Sequence, residues 1–492
     1  MKIKKIVLSI SLLTLFVNCS DLDTELKGQY TTDTFFKTKD QAISAINATY
    51  QIAAFSNTNN NLWVFGDVAS DDTVKGGNPG DQSDIGYVDN FQVNPDNGAI
   101  ESFWKHYYEG IARANNVIYY VPSIDMDPVL KDRIIGEAKF LRAYYYFHLT
   151  NIFGKVPLRI TPALNVNDLT SPLSSVADIY VQIEKDLTDA STTLSPTYGP
   201  ADTGRATKGA ALGLLAKVFL FEQKYTEALS AATQVESMGY TLSTLYTYNF
   251  DVTHKNNSES IFEIQHLSNQ IVFEGNYLNQ YVSPAYLNGY FFNAPTSSFV
   301  NEFEKTAGSV DDPRLDYTVG RVGHKWVDGK DFDSAWSPAT GYLDKKQADD
   351  VVAGKPIGDG AKNYVFMRYS EILLIKAEAL NELNRSSEAL IPLNRIRERA
   401  RNSYLFDSSL PGYGVVPASL LPDVTTTNQS TLRDAIRHER RVELGLEFHR
   451  YYDIMRYGKA YAEQALSGTG FTYEKNRYFP LPQSELDTNT KL

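Results

Sequence analysis

Along much of the chain apolar residues recur three or four positions apart, the spacing of an amphipathic helix. Within residues 100–121 the run FWKHYYEGIARANNVIYYV carries aromatic and aliphatic side chains at helical intervals, and Pro122 closes it. Along KDRIIGEAKFLRAYYYFHL the residues Ile134, Ala138, Leu141 and Tyr145 follow at steps of four, three and four, which builds one buried stripe; Gly154 and Pro157 end that helix. Ile179, Ile183, Leu187, Ala190 and Leu194 form a third stripe. Residues 210–221 are apolar nearly all round, interrupted mainly by Gly213 and Lys217, so this helix is predicted to be buried on more than one side.

After a short break come Tyr225, Ala228, Leu229, Ala232 and Val235, the small-residue spacing of a tetratricopeptide pair, in which Ala lets two helices approach closely. A second pair is predicted over residues 371–383 and 387–400, with Pro392 expected to kink the latter or to mark a late start. Between residues 239 and 361 the pattern changes to short aromatic runs broken by Asn, Gly, Ser and Pro, the mark of an inserted, loop-rich lobe. Residues 401–426 read as a second long loop. Long irregular segments on a rigid scaffold are where binding function tends to reside. The expected fold is mostly α, with tetratricopeptide-like helix pairs and an inserted loop-rich lobe. Its divisions are 19–238, 239–361 and 362–492, behind a leader at 1–18.

The leader follows from its own pattern. Lys2, Lys4 and Lys5 precede a 12-residue apolar run ending at Val17, the length of a signal peptide and too short for a membrane-spanning helix of about 20 residues. The run leads into Leu15-Phe16-Val17-Asn18-Cys19, which resembles a bacterial lipoprotein cleavage box with Cys19 as the acylated first residue. Cys19 is the only cysteine of the 492 residues, so neither an intrachain disulfide nor a Cys-based zinc site is available. Several acyl chains on it would hold the protein durably at a membrane, at about 0.8 kcal/mol per buried methylene. The acidic stretch Ser20-Asp21-Leu22-Asp23-Thr24-Glu25 looks like the surface-export signal of Bacteroidetes lipoproteins. A formal charge of −12 argues against a partner held through a phosphate backbone, which needs Lys and Arg.

Known catalytic patterns are not matched. His438-Glu439-Arg440-Arg441-Val442 lacks the second His of a zinc-protease helix, and no GxSxG elbow, Walker loop or dinucleotide fingerprint occurs. Glu439, Glu443 and Glu447 are spaced one turn apart among Arg437, Arg440, Arg441, Arg450 and Arg456, so they read as ionised members of an ion-pair network. A glycosidase acid would need a raised pKa instead.

HERRVELGLEFHRYYDIMRYGKA, residues 438–460, resembles the signature helix pair of the SusD/RagB family of outer-membrane nutrient-binding lipoproteins. AISAINATYQ, GEAKFLRAYYYFHLTNIFGKVPL, RATKGAALGLLAKVFLF, YVFMRYSEILLIKAEALNEL, ALIPLNRIRERA and the tail RYFPLPQSELDTNTKL agree with the family in order. The resemblance implies a cell-surface lipoprotein of the outer membrane that captures oligosaccharides. It would deliver them to a SusC-like TonB-dependent transporter, without enzymatic activity or cofactor; peptide binding is the alternative within the same uptake system. A surface glycosidase and a protein-interaction scaffold stand as further alternatives.

A sugar presents an apolar C–H face and a rim of hydroxyls, so its site needs exposed rings beside fixed carboxylates or amides. Two segments qualify. In residues 63–78, Trp63 and Phe65 precede Asp67, Asp71, Asp72 and Lys75; in the lobe, Tyr286, Tyr290, Phe291 and Phe292 cluster, and Trp326 and Trp336 flank Asp328 and Asp331. Trp63, Asp71, Asp72, Tyr290, Phe292 and Trp326 are the ligand-binding candidates.

Overall fold

The computed structural model describes residues 35–56, 60–268, 274–349 and 358–492, so the leader and Cys19 lie outside the described residues. The predicted stripes become long helices. α1 (Lys39–Ala53) opens with a capping box between Thr38 and Gln41, and α2 (Gly98–Tyr120) is capped by the Asn97 side chain, which accepts from two backbone amides of the first turn. α3 (Pro128–Phe153) begins with Pro in its first turn behind Asp127 and stops at Gly154, whose φ of 72° continues no helix. α4 (Val176–Thr193), α5 (Lys208–Phe221) and α6 (Tyr225–Glu236) follow, then α7 (Tyr369–Glu382), α8 (Ser386–Arg401) and α9 (Gln429–Leu444).

Each of α2 to α6 packs against its predecessor, and α7 packs on α6 although more than a hundred residues separate them in the chain. The intervening loop-rich segment is therefore inserted between two helices that are neighbours in space. It is also stitched to the scaffold. β1 (Thr73–Gly76), β2 (Ser260–Ile264), β3 (Phe292–Pro295) and β4 (Tyr364–Arg368) form two antiparallel pairs, β1 with β3 and β2 with β4. Ile261, Phe262, Phe292 and Trp326 join the same hydrophobic core as the helices.

One local expectation is corrected. α8 starts at Ser386, six positions before Pro392, so the proline marks no late start; it sits in the second turn, where its missing N–H leaves the Glu388 carbonyl without a helical donor. α5 is buried on more than one side as its pattern predicts, and Lys217 is buried with it, 3.1 Å from the Glu371 carboxylate and 3.0 Å from His449 Nδ1.

The Glu439, Glu443 and Glu447 network exists with different partners. Glu443, fully buried on α9, meets Arg314, Arg368 and Arg399; Glu439 meets Arg314 and Arg397; Glu447, beyond the helix end, meets Arg368 and Lys346 at 2.8 and 3.0 Å. Glu259 closes the lattice, 2.9 Å from Arg368 and 3.1 Å from Arg399. The arginines adjacent in sequence point elsewhere, because consecutive helical side chains diverge by about 100°. Arg440 reaches Glu371 and Asp453, Arg441 reaches Asp71, Asp72 and Glu302, Arg450 reaches Asp71, Arg456 reaches Glu378 and Asp453, and Arg437 stacks on Tyr457. Burial alone would raise the Glu443 carboxyl, but Arg399, Arg368 and Arg314 outweigh it and hold it well below the ordinary range. Burial is likewise overcome at Asp453, which Arg440 and Arg456 bring down to about 2.

Glu443→Gln leaves buried guanidinium charge uncompensated and is expected to lower stability by about 3–5 kcal/mol, read as a fall in the urea midpoint at unchanged slope. Because Asp453 has a depressed pKa in the folded state, its contribution is complete above the unfolded value of about 4 and is lost as the pH falls towards about 2. Unfolding free energy measured across that window is expected to drop with acidity, and the slope should be shallower in Asp453→Asn.

Candidate functional site

The β1–β3 pair places the two sequence segments side by side. Gly76 lies opposite Phe292, and the Gly77 amide donates to the Phe291 carbonyl at 2.9 Å. Gly77 has φ 66°, and a Cβ there would stand 2.2 Å from the Phe292 ring, so only glycine permits the approach. Lys75 holds the following turn, its ammonium donating to the carbonyls of Asn78 and Asp81 at 3.0 and 2.6 Å.

Most of the candidate rings face inward. Trp63 is 2% exposed, with Tyr281 and Phe292 at centroid distances of 5.2 and 5.9 Å, and Phe292 is buried as well. Trp326, also 2% exposed, lies against Phe332 and over Gly320, where a Cβ would come within 2.6 Å of the indole. These three rings offer no open face, which corrects their reading as surface platforms: large flat rings close the gap between lobe and helices. Asp71 and Asp72 are engaged as well. Arg450 and Arg441 bind them at 2.7 Å each, and although burial raises the Asp71 carboxyl, the two guanidinium groups bring it below its usual value. Tyr290 alone of the six is open, 40% exposed beside Phe292 and Tyr281.

A second pair of rings, noted in the sequence beside these candidates, makes the exposed platform. Tyr286, 40% exposed, meets the half-buried Trp336 at 4.7 Å with the planes inclined at 49°. Tyr286 donates its hydroxyl to Asp328 at 2.9 Å, and Lys330 lies 3.9 Å over its ring and 3.3 Å from the same carboxylate. The corner rests on the core: Phe332 packs edge-on to Trp336 at 5.3 Å and leads back to Trp326. A hairpin presents it, with the Phe332 amide donating to the His324 carbonyl and the Gly329 amide to that of Trp326. Burial raises the Asp328 carboxyl, but the Lys330 amide, the Tyr286 hydroxyl and the Lys330 ammonium leave it below its ordinary value, so it stays ionised and accepts hydrogen bonds. No local signal separates the two indoles: Trp336 lies among Asp333, Ser334, Ser337 and Pro338, and Trp326 among His324, Lys325, Asp328 and Lys330.

Among the described residues no group of three His, Cys, Asp or Glu side chains is placed to hold a metal ion, and no helix is long and apolar enough to cross a membrane. The family model described as "SusD family" matches residues 258–492, and one described as "Starch-binding associating with outer membrane" matches residues 33–220. The chain belongs to the SusD family. A SusD-like protein of Formosa agariphila is 29% identical over all of this chain and 99% of its own length, and one of Bacteroides ovatus is 28% identical over 95% and 84%. Among solved structures, a laminarin-binding SusD-like protein is similar at 29% identity with a TM-score of 0.75, covering 92% of this chain and 98% of its own. A SusD-like carbohydrate-binding protein of Bacteroides fragilis, at 24% identity, a TM-score of 0.80 and coverage of 93% and 100%, shares the SusD fold.

Trp326→Ala is expected to cost about 3–5 kcal/mol of stability because it empties a core position. Tyr290→Ala, at the surface, should change it by about 0.5 kcal/mol or less. Thermal and urea denaturation of the two variants separate core ring from surface ring.

Proposed function

We propose that this SusD-family protein is a cell-surface lipoprotein, anchored through Cys19 in the outer membrane. It captures oligosaccharides at the Tyr286–Trp336 corner and passes them to a SusC-like TonB-dependent transporter. The observation that carries the reading is the corner itself: two inclined aromatic rings beside a fixed carboxylate and an ammonium, with Tyr286 from a separate turn bonded to the hairpin that carries Asp328 and Lys330. Ring faces take the C–H face of a sugar, while Asp328 and Lys330 bond its hydroxyls. Laminarin binding in a relative that this chain matches over nearly its whole length supports the ligand class. The leader and the single cysteine support the anchor, and the description of the N-terminal family model supports the outer membrane.

Neutral glycans suit the corner better than acidic ones. Lys330 is paired with Asp328 and Lys325 with Asp331, so no unpaired cation among these residues awaits a carboxylate or sulfate, and the whole chain is acidic.

The test is affinity electrophoresis of the soluble form beginning after Cys19 in native gels containing laminarin, starch or other neutral polysaccharides. At least one glycan is expected to retard the wild type, and Trp336→Ala should weaken that retention about tenfold or more, the loss of a stacked ring. Retention unchanged in both Trp336→Ala and Tyr286→Ala would overturn the placement.

A further inference from the structure

A separate groove lies between residues 196–207, which lead into α5, the turn at 238–240 after α6, and residues 256–263 at the start of β2. It encloses about 370 Å³ and is lined by Tyr198, Arg205, Tyr240, Asn256, Ser258 and Glu263. Asp202, Gly204 and Arg205 also line a neighbouring cavity of about 330 Å³ bordered by Asn47 and Tyr50 of α1. Together they have the size of a small-ligand site, and they share no residue with the Tyr286–Trp336 corner.

The walls are held in place by bonds that leave ligand-facing groups available. Tyr240 lies across the start of α5 because residue 209 is glycine: a Cβ there would be 2.2 Å from the phenol oxygen. Tyr198 has one face covered by the Arg133 guanidinium at 5.3 Å, and its hydroxyl accepts from the Ser195 amide, which leaves the phenol proton to donate. Asn256 is in the left-handed region at φ 52°, its backbone N–H donating to the Glu263 carboxylate at 3.0 Å. Its side chain and that of Gln265 exchange hydrogen bonds in both directions, at 2.9 and 3.0 Å, which leaves Asn256 one N–H and one lone pair. Gln265 arches over Gly204, where φ is 88° and a Cβ would strike the Gln265 chain at 2.4 Å.

The charges of the groove are already satisfied. Arg205 donates to Glu137, Asp202 and Asn47 at 2.9 to 3.0 Å, and Asp202 also binds Arg133. Glu263 takes the Asn256 amide and the Asn363 side chain. A uronate or a peptide carboxylate would find no unpaired cation among these side chains, since Arg205 is already bound to Glu137 and Asp202. Phenol rings, a half-satisfied amide and the Tyr198 hydroxyl suit an uncharged, hydroxyl-rich ligand.

We propose that this groove is a second binding site for a neutral oligosaccharide, independent of the Tyr286–Trp336 corner; it rests on the reading that the protein binds glycans. The test is isothermal titration of the soluble protein with laminarihexaose, maltohexaose and xylohexaose, scored by stoichiometry. For at least one of them the wild type is expected to take two equivalents, and Trp336→Ala and Asn256→Gly one each. The double variant should take none. Glycine at 256 suits the left-handed backbone and removes the side-chain amide together with its two bonds to Gln265. Tyr198→Phe, which retains the ring, should weaken the groove's equivalent about fivefold, the loss of one hydrogen bond. One equivalent in the wild type that Trp336→Ala abolishes and Asn256→Gly leaves intact overturns the groove and upholds the corner. Binding abolished by Asn256→Gly and untouched by Trp336→Ala does the reverse, and no binding to any of the three overturns both.

Discussion

The buried carboxylate of Glu443 is the point from which the rest of the molecule is arranged. It draws Arg314 from the inserted segment, Arg368 from β4 and Arg399 from α8 to one place on α9, and Glu439, Glu447 and Glu259 complete the alternation of charge. An ion taken out of water loses several kcal/mol of solvation, and such a lattice persists only when every member finds its partners. That requirement makes it a device of position: segments far apart in the chain can be buried together in one arrangement and not in others.

From this lattice the constraint passes to the binding surface. Lys346, which meets Glu447, lies two residues after Asp344, and Asp344 accepts from Asn293 at 3.0 Å on the strand that carries Phe292. Gln347 donates to the Leu446 carbonyl in the turn that follows α9. On the other side Arg441 and Arg450 grip Asp71 and Asp72, immediately before β1. The acids that looked like sugar acceptors are thus the latch that sets the register of β1 against β3. The aromatic corner stands on a base, Trp326 and Phe332, that is part of the core, so its rings are oriented before any ligand arrives.

The helices were legible because each buries one stripe, and a period of 3.6 residues shows that stripe directly in the chain. The short strands were not: β1 to β4 run to five residues at most, too few for alternation to stand out from the apolar background. That Glu443 and Glu447 are ion-paired carboxylates was legible from the arginines around them, while the partners themselves were not, because Arg314 and Arg368 are more than seventy residues away in sequence. A buried lysine such as Lys217 likewise reads as a break in a helix face until Glu371 and His449 are seen beside it.

Sequence alone determined the helical scaffold, the loop-rich insertion and the family to which the chain belongs, since all of these rest on local periodicity or on ordered motifs. Tertiary structure decided which aromatic rings are surface and which are core. Trp326 and Trp336 are ten residues apart and chemically identical, and only the packing of the hairpin on Gly320 and Phe332 buries one and leaves the other half open. A ring's affinity for a sugar face and for a protein core has the same physical origin, so the choice between them is made by what folds against it.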